Sequence, residues 1–95
     1  MKKLSKTEIK DNINSIHSEW ILINGFIQRK FVFDDFIKAF SFMTSVSIIV
    51  EKQNHHPNWE NVYNKVIVNL KTHDVDGLTE KDFKLAKNMD QLYNS

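Results

Sequence analysis

Hydrophobic residues recur along this chain with two different periods, which predict helices and strands in alternation. Near the amino terminus, Ile9, Ile13 and Ile16 are spaced as one face of a helix. Ser5 and Glu8 occupy the positions of a capping box, in which two residues satisfy free backbone N–H groups of the first turn. We therefore expect the first helix to begin next to Ser5.

A strand-like pattern follows this helix. Residues 20–23 and 26–33 are rich in β-branched and aromatic side chains, and Asn24-Gly25 separates them. Asn-Gly between two such runs is the strongest short-range signal for a β-hairpin. Alternate residues of the second run are mainly apolar, which predicts one covered face. Arg29 lies on that face and has no predicted role.

The middle of the chain predicts a long helix with an unusually wide apolar surface. Asp34 is placed to cap it, and the helix should run to about Gln53. Apolar side chains of residues 36–50 cover most of the helical circle, whereas a helix on one sheet face needs only part of it. A second subunit would cover the surplus, so we expect a homo-oligomer, a dimer or a tetramer. A deep core within the monomer is the alternative.

A second hairpin and a third helix complete the pattern. Residues 59–62 and 65–71 form the hairpin, and Gly77 follows in a turn where a positive φ is often needed. Thr79 and Asp82 occupy capping-box positions of the last helix. The order α-β-β-α-β-β-α predicts a single α+β domain over residues 1–95, with a four-stranded antiparallel sheet and helices on one face.

Composition narrows the classes of function. The net charge of +1 provides no general attraction to nucleic acid or anionic membranes, so we expect no direct nucleic-acid binding. Cysteine is absent, which excludes disulfides and thiolate metal sites and favours a reducing compartment. No apolar run reaches the roughly 20 residues of a membrane helix, and the amino terminus does not have the pattern of a signal peptide. These features predict a cytoplasmic protein.

Three of the four histidines lie close together in sequence, at His55, His56 and His73. Pro57 disfavours helix in the residue before it, so the long helix must end at or near His55. The start of one strand lies beside the end of its antiparallel partner, so the three imidazoles should meet at one end of the sheet. Histidine has an unperturbed pKa of about 6.5, which suits it to carrying protons near neutral pH.

Trp59 and the start of the last helix, at Asp82, should lie near the same end of the sheet. An aromatic wall beside several proton carriers suits a flat polar heterocycle. A zinc site is the alternative use of three histidines. We expect no metal, because adjacent histidines rarely reach one ion and no fourth ligand is obvious.

The spacing of these residues resembles the signature of the pterin-4a-carbinolamine dehydratases. The positions that carry the resemblance are Glu51, His55-His56-Pro57, Tyr63, Thr72-His73, Gly77-Leu78-Thr79 and Asp82. The resemblance is dense over residues 51–86 and weaker over residues 20–40. A motif of this length with fixed gaps is a specific signal.

The resemblance implies dehydration of 4a-hydroxytetrahydropterin to quinonoid dihydropterin, without a metal or organic cofactor. Members of that family are tetramers that support aromatic amino acid hydroxylases. Some also bind the dimerisation region of a homeodomain transcription factor, which would place the protein in the nucleus as well. A protein-binding module that acts through its long helix is therefore the alternative to an enzyme.

Chemistry and resemblance together assign roles to the candidate residues. We expect His55 and His73 to act as the acid/base pair and His56 chiefly to orient the pterin. The remaining candidates for the substrate site are Glu51, Pro57, Trp59, Thr72 and Asp82. Glu51 either orients a histidine or only contacts solvent. Asp82 either belongs to the site or serves the start of the last helix.

Overall fold

Residues 2–94, which the computed structural model describes, form helices and strands in the predicted order α-β-β-α-β-β-α. The helices are α1 (Lys6–Ile13), α2 (Phe36–Gln53) and α3 (Glu80–Tyr93), and the strands are β1 (Ile21–Ile23), β2 (Phe26–Val32), β3 (Asn58–Val62) and β4 (Lys65–Leu70). The four strands form one antiparallel sheet in the order β1-β2-β4-β3. The predicted α+β fold is confirmed.

The two hairpins turn where the sequence predicts. Asn24 and Gly25 have φ angles of 52° and 82°, the left-handed backbone that a tight hairpin needs. Tyr63 has a φ of 52° in the second hairpin, where Val62 pairs with Lys65. These turns fix the strand register, and therefore decide which side chains face the core.

The helices α2 and α3 supply most of the helical side chains in the core under one face of the sheet. The fully buried side chains of this core come from alternate sheet positions and from both helices: Ile27, Phe31, Val66, Val68, Leu70, Ala39, Val46, Leu85, Ala86 and Met89. Arg29 lies on this covered face, and its guanidinium Nη1 bonds the Asp90 carboxylate at 2.7 Å. The indole N–H of Trp20 donates to the same carboxylate at 3.0 Å. Arg29 is therefore paired within the core, a role that its sequence position did not reveal.

Two predicted details at chain turns are wrong. The cap of α2 is Asp35, whose side chain accepts from the backbone N–H of Lys38 at 2.8 Å, whereas Asp34 bonds the Lys38 ammonium. The helix begins one residue later than expected, which moves the cap with it. The positive φ after the second hairpin belongs to Asp76, at 48°, and not to Gly77. Gly77 instead leaves room for the side chain of Lys3.

The wide apolar surface of α2 is only partly buried within the chain. Ala39, Phe42, Val46 and Val50 face the core, but other large apolar side chains of α2 are exposed: Phe36, Ile37, Phe40 and Ile48. This surplus of exposed apolar area is the feature on which the predicted oligomer depends. In residues 2–94 no helix has the length and apolar character that crossing a membrane requires.

Candidate active site

The three clustered histidines line one cavity at the end of the sheet, with a volume of about 280 Å³. His55 and His56 enter it from the segment between α2 and β3, and His73 enters from the 3₁₀ turn after β4. We call this the histidine cavity. Thr72 and Lys71 also line it. The antiparallel pairing of β3 with β4 brings these two distant segments together.

The end of α2 sets the position of His55. Asn54 adopts the left-handed conformation, with a φ of 51°, and ends the helix before Pro57. The backbone N–H of His55 then donates to the carbonyl of Val50 at 3.1 Å. This hydrogen bond holds the segment against the end of α2, and His55 is buried, with 7% of the residue exposed.

A buried carboxylate holds the His55 ring. Asp82 is fully buried, and its Oδ1 lies 2.6 Å from His55 Nε2. Its Oδ2 accepts from the hydroxyl of Thr72 at 2.8 Å and from the backbone N–H of Thr79 at 3.0 Å. An ionised carboxylate can accept all three bonds, so Nε2 of His55 carries the donated proton. That tautomer leaves Nδ1 as the ring nitrogen able to take up a proton.

The contacts of Asp82 fit both of the roles that the sequence left open. As the third residue of α3 it completes a capping box with Thr79, and at the same time it orients His55. Thr72 links the helix cap to the carboxylate, because its hydroxyl contacts both Thr79 Oγ1 and Asp82 Oδ2. Both oxygens of the buried carboxylate are thus bonded, which offsets the free-energy cost of burying a charge.

The other two histidines are more open to solvent. His56 Nε2 lies 2.7 Å from Glu51 Oε1, and the two side chains are 55% and 77% exposed. Glu51 therefore contacts a histidine, although an exposed pair of this kind adds little stability. His73 is exposed, and its ring has no hydrogen-bond partner within the described chain.

Not all predicted site residues reach the histidine cavity. Trp59 pairs in register with Val68 on the covered face and packs against the core. Within the described residues, neither Trp59 nor Pro57 lines the histidine cavity, so the expected aromatic wall is not found there. Glu51 and Asp82 do not line it either, although each contacts side chains that do. A strand side chain points to one face only, and the register assigns Trp59 to the core side.

Lys71 is a lining residue that the sequence analysis missed. It directly follows β4 and precedes Thr72, so only the strand end places it at the site. Its ammonium bonds Asp76, and this hydrogen bond, together with the positive charge of Lys71, lowers the pKa of the exposed Asp76 carboxyl. Across residues 2–94 no group of three or more His, Asp or Glu side chains is arranged to hold a metal ion.

Comparisons with known proteins agree on one family. The family model described as "Pterin 4 alpha carbinolamine dehydratase" matches residues 2–92. A protein of Prochlorococcus marinus strain MIT 9515, provisionally named pterin-4-alpha-carbinolamine dehydratase, is 49% identical over 90 residues, which span 95% of this chain and 93% of that protein. A Rhizobium meliloti protein with the same provisional name is 50% identical over 91 residues, spanning 94% and 86% of the two chains.

A solved structure gives the same result at the level of the fold. The crystal structure of a transcriptional coactivator/pterin dehydratase from Brucella melitensis superposes with a TM-score of 0.93 and 36% identity. The match covers 97% of this chain and 99% of the other.

Proposed function

Because this chain belongs to the pterin 4 alpha carbinolamine dehydratase family, we propose that it removes water from 4a-hydroxytetrahydropterin to give quinonoid dihydropterin. The observation that carries the proposal is the buried Asp82–His55 pair beside two further histidines in one cavity. Dehydration needs one group that takes a proton and one that gives a proton, and two imidazoles supply both.

The reaction breaks the C4a–O bond and forms a C=N bond to the ring nitrogen next to it. His55 is the better base, because Asp82 holds its Nε2–H and stabilises the imidazolium that forms when Nδ1 accepts the ring N–H proton. His73 is the better acid, because it is exposed and can be reprotonated from water after it protonates the leaving hydroxyl. Each transfer contributes about 10²–10⁴-fold to the rate.

His56 has a positioning role in this proposal. Its ring is bonded to Glu51 on the solvent side of the histidine cavity, where it can contact the polar edge of a pterin. Such a contact binds the ground state and the transition state similarly, so it affects KM more than kcat.

The pathway context follows from the substrate. The carbinolamine arises when an aromatic amino acid hydroxylase uses tetrahydropterin, and a reductase returns the dehydrated product to tetrahydropterin. We therefore propose a role in tetrahydropterin recycling in the cytoplasm. Stopped-flow ultraviolet spectroscopy with enzymatically generated 4a-hydroxytetrahydropterin tests it, and no acceleration above the uncatalysed dehydration would refute it.

A second candidate function rests on the exposed face of α2. Phe36, Ile37, Phe40 and Ile48 are between 46% and 73% exposed, which favours a homo-oligomer, a dimer or a tetramer, built through this helix. The same face could receive an apolar helix of a transcription factor, and the Brucella melitensis protein is named as a coactivator. An intact histidine site without dehydratase turnover would favour this binding function over the enzyme.

A further inference from the structure

Lys71 contributes to the lining of two cavities. It lines the histidine cavity and also a larger cavity of about 740 Å³ beneath α1. The Lys71 side chain is only 19% exposed, because its ammonium bonds Asp76 and lies 5.2 Å from the centre of the Phe26 ring. A positive charge is therefore held on a residue that lines both cavities.

The larger cavity, which we call the α1 cavity, combines an apolar lining with basic residues. Within the described chain none of the α1 residues is fully buried, and Ile9 and Ile13 pack against the core while remaining partly exposed. Its apolar lining includes Ile9, Ile13, Leu22 and Leu78. Its basic lining residues are Lys3, Lys6, Lys10 and Lys71, and Asp76 is the one acidic residue among the described lining residues.

The charges of this lining are unbalanced. Asp76 is already bonded to Lys71, and among residues 2–94 no carboxylate lies within ion-pair distance of Lys6 or Lys10. Both lysines are exposed on the side of α1 that borders the cavity. The anionic end of a ligand in the α1 cavity could therefore pair with the ammonium groups of Lys6 and Lys10. An apolar part of the same ligand would contact Ile9 and Ile13.

The volumes of the two cavities indicate which part of a ligand each could hold. The histidine cavity, at about 280 Å³, is at the lower limit of ligand pockets, which span about 300–1,000 Å³. It suits a bicyclic ring but not a long substituent as well. The α1 cavity lies within that range, and Lys71 lines both.

Resting on the proposed function, we infer that the natural substrate is a reduced pterin of the folate type. Its ring lies among the histidines, and its side chain passes Lys71 into the α1 cavity. There an apolar spacer contacts Ile9 and Ile13, and the terminal carboxylates meet Lys6 and Lys10. An ammonium has three donors, so Lys71 can keep Asp76 and also bond the passing ligand.

The test compares the binding of four stable dihydropterins by isothermal titration at low ionic strength. 7,8-Dihydrobiopterin has a short neutral side chain, and 7,8-dihydropteroate has the apolar spacer with one carboxylate. 7,8-Dihydrofolate has the spacer with two carboxylates, and 6-hydroxymethyl-7,8-dihydropterin diphosphate has anionic groups without a spacer. We expect dihydrofolate to bind most tightly, about tenfold tighter than dihydrobiopterin, since its two exposed ion pairs each contribute about two- to fivefold.

Matched variants locate the effect. Lys6→Gln/Lys10→Gln should reduce the preference for dihydrofolate about four-fold or more and leave the affinity for dihydrobiopterin unchanged. Lys84→Gln/Lys87→Gln removes the same charge from the exposed side of α3, outside the α1 cavity, and should leave the preference intact. Added salt should weaken the preference in the wild type, because exposed ion pairs are screened. Circular dichroism checks that each variant is folded.

Three outcomes would overturn the inference. If dihydrofolate binds no tighter than dihydrobiopterin, while neutral 4a-hydroxytetrahydropterin is dehydrated, the proposed function stands and the substrate class is wrong. If the diphosphate binds most tightly, the apolar spacer has no role and the assignment to folate-type side chains fails. If none of the four compounds binds and no dehydration is seen, the inference fails together with the proposed function.

Discussion

Replacing Asp82 by Asn tests whether this buried carboxylate sets the chemistry of His55. The substitution keeps the size of the side chain but replaces one acceptor oxygen by an NH₂ donor. The Asn oxygen is expected to take the place of Oδ2, because Thr72 and Thr79 both donate there. The NH₂ group then faces His55 Nε2 and must donate to it, which forces the proton onto Nδ1.

The expected loss of turnover follows from this change of tautomer. His55 with a proton on Nδ1 can no longer accept the proton of the pterin ring nitrogen, so its contribution as a base is lost. We expect kcat to fall about 10²–10⁴-fold with little change in KM, because the interaction acts mainly in the transition state. Stability should fall as well, by about 1.5–3 kcal/mol for a hydrogen bond to a charged group.

The control is Asp90→Asn, which removes a second carboxylate from the same helix. Asp90 bonds Arg29 and Trp20 in the core, away from the histidine cavity. This variant should also lose stability, with a fall in melting temperature of about 4–8 °C per kcal/mol, but it should keep kcat. The assay is stopped-flow dehydration at a temperature at which both variants are folded. A folded Asp82→Asn protein with near-normal kcat would refute the orientation of His55 by this carboxylate.

Further predictions concern the histidines, metal and assembly. His55→Ala and His73→Ala should each lower kcat by about 10²-fold or more, whereas His56→Ala should mainly raise KM; normal turnover of both of the first two would favour the binding function. Dialysis against a strong chelator should leave turnover unchanged, and activity that disappears and returns with zinc would contradict the acid/base assignment. Phe40→Glu, at an exposed position of α2, should dissociate the oligomer in sedimentation at micromolar concentration, and a monomeric wild type would refute the predicted assembly.

Local sequence signals predicted most of the fold because each acts over a few residues. Asn24-Gly25 turns the first hairpin, and the left-handed Asn54 together with Pro57 ends α2 close to the predicted place. The meeting of the histidines needed one further step, the pairing of β3 with β4. That pairing follows from the short turn between them and so remained within reach of sequence reasoning.

Contacts between distant elements could not be predicted in the same way. Arg29 and Asp90 are far apart in sequence, and their bond depends on how α3 crosses the sheet. The cap of α2 was misplaced by one residue because Asp34 and Asp35 are equally good capping residues and only the helix start distinguishes them. Lys71 was missed because a strand-end lysine has no local feature that marks it as part of a cavity.

In the proposed mechanism, Asp82 couples the folding of α3 to the chemistry of the site. One oxygen of its carboxylate accepts from the backbone N–H of Thr79, the cap of the first turn of α3, and the other holds the ring of His55. A change that frays this first turn would release both bonds, so the base would lose its orientation before the core was disturbed. Substitutions at Thr72 or Thr79 should therefore affect turnover even though neither residue is proposed to carry a proton, because both fix the carboxylate that selects the tautomer of His55.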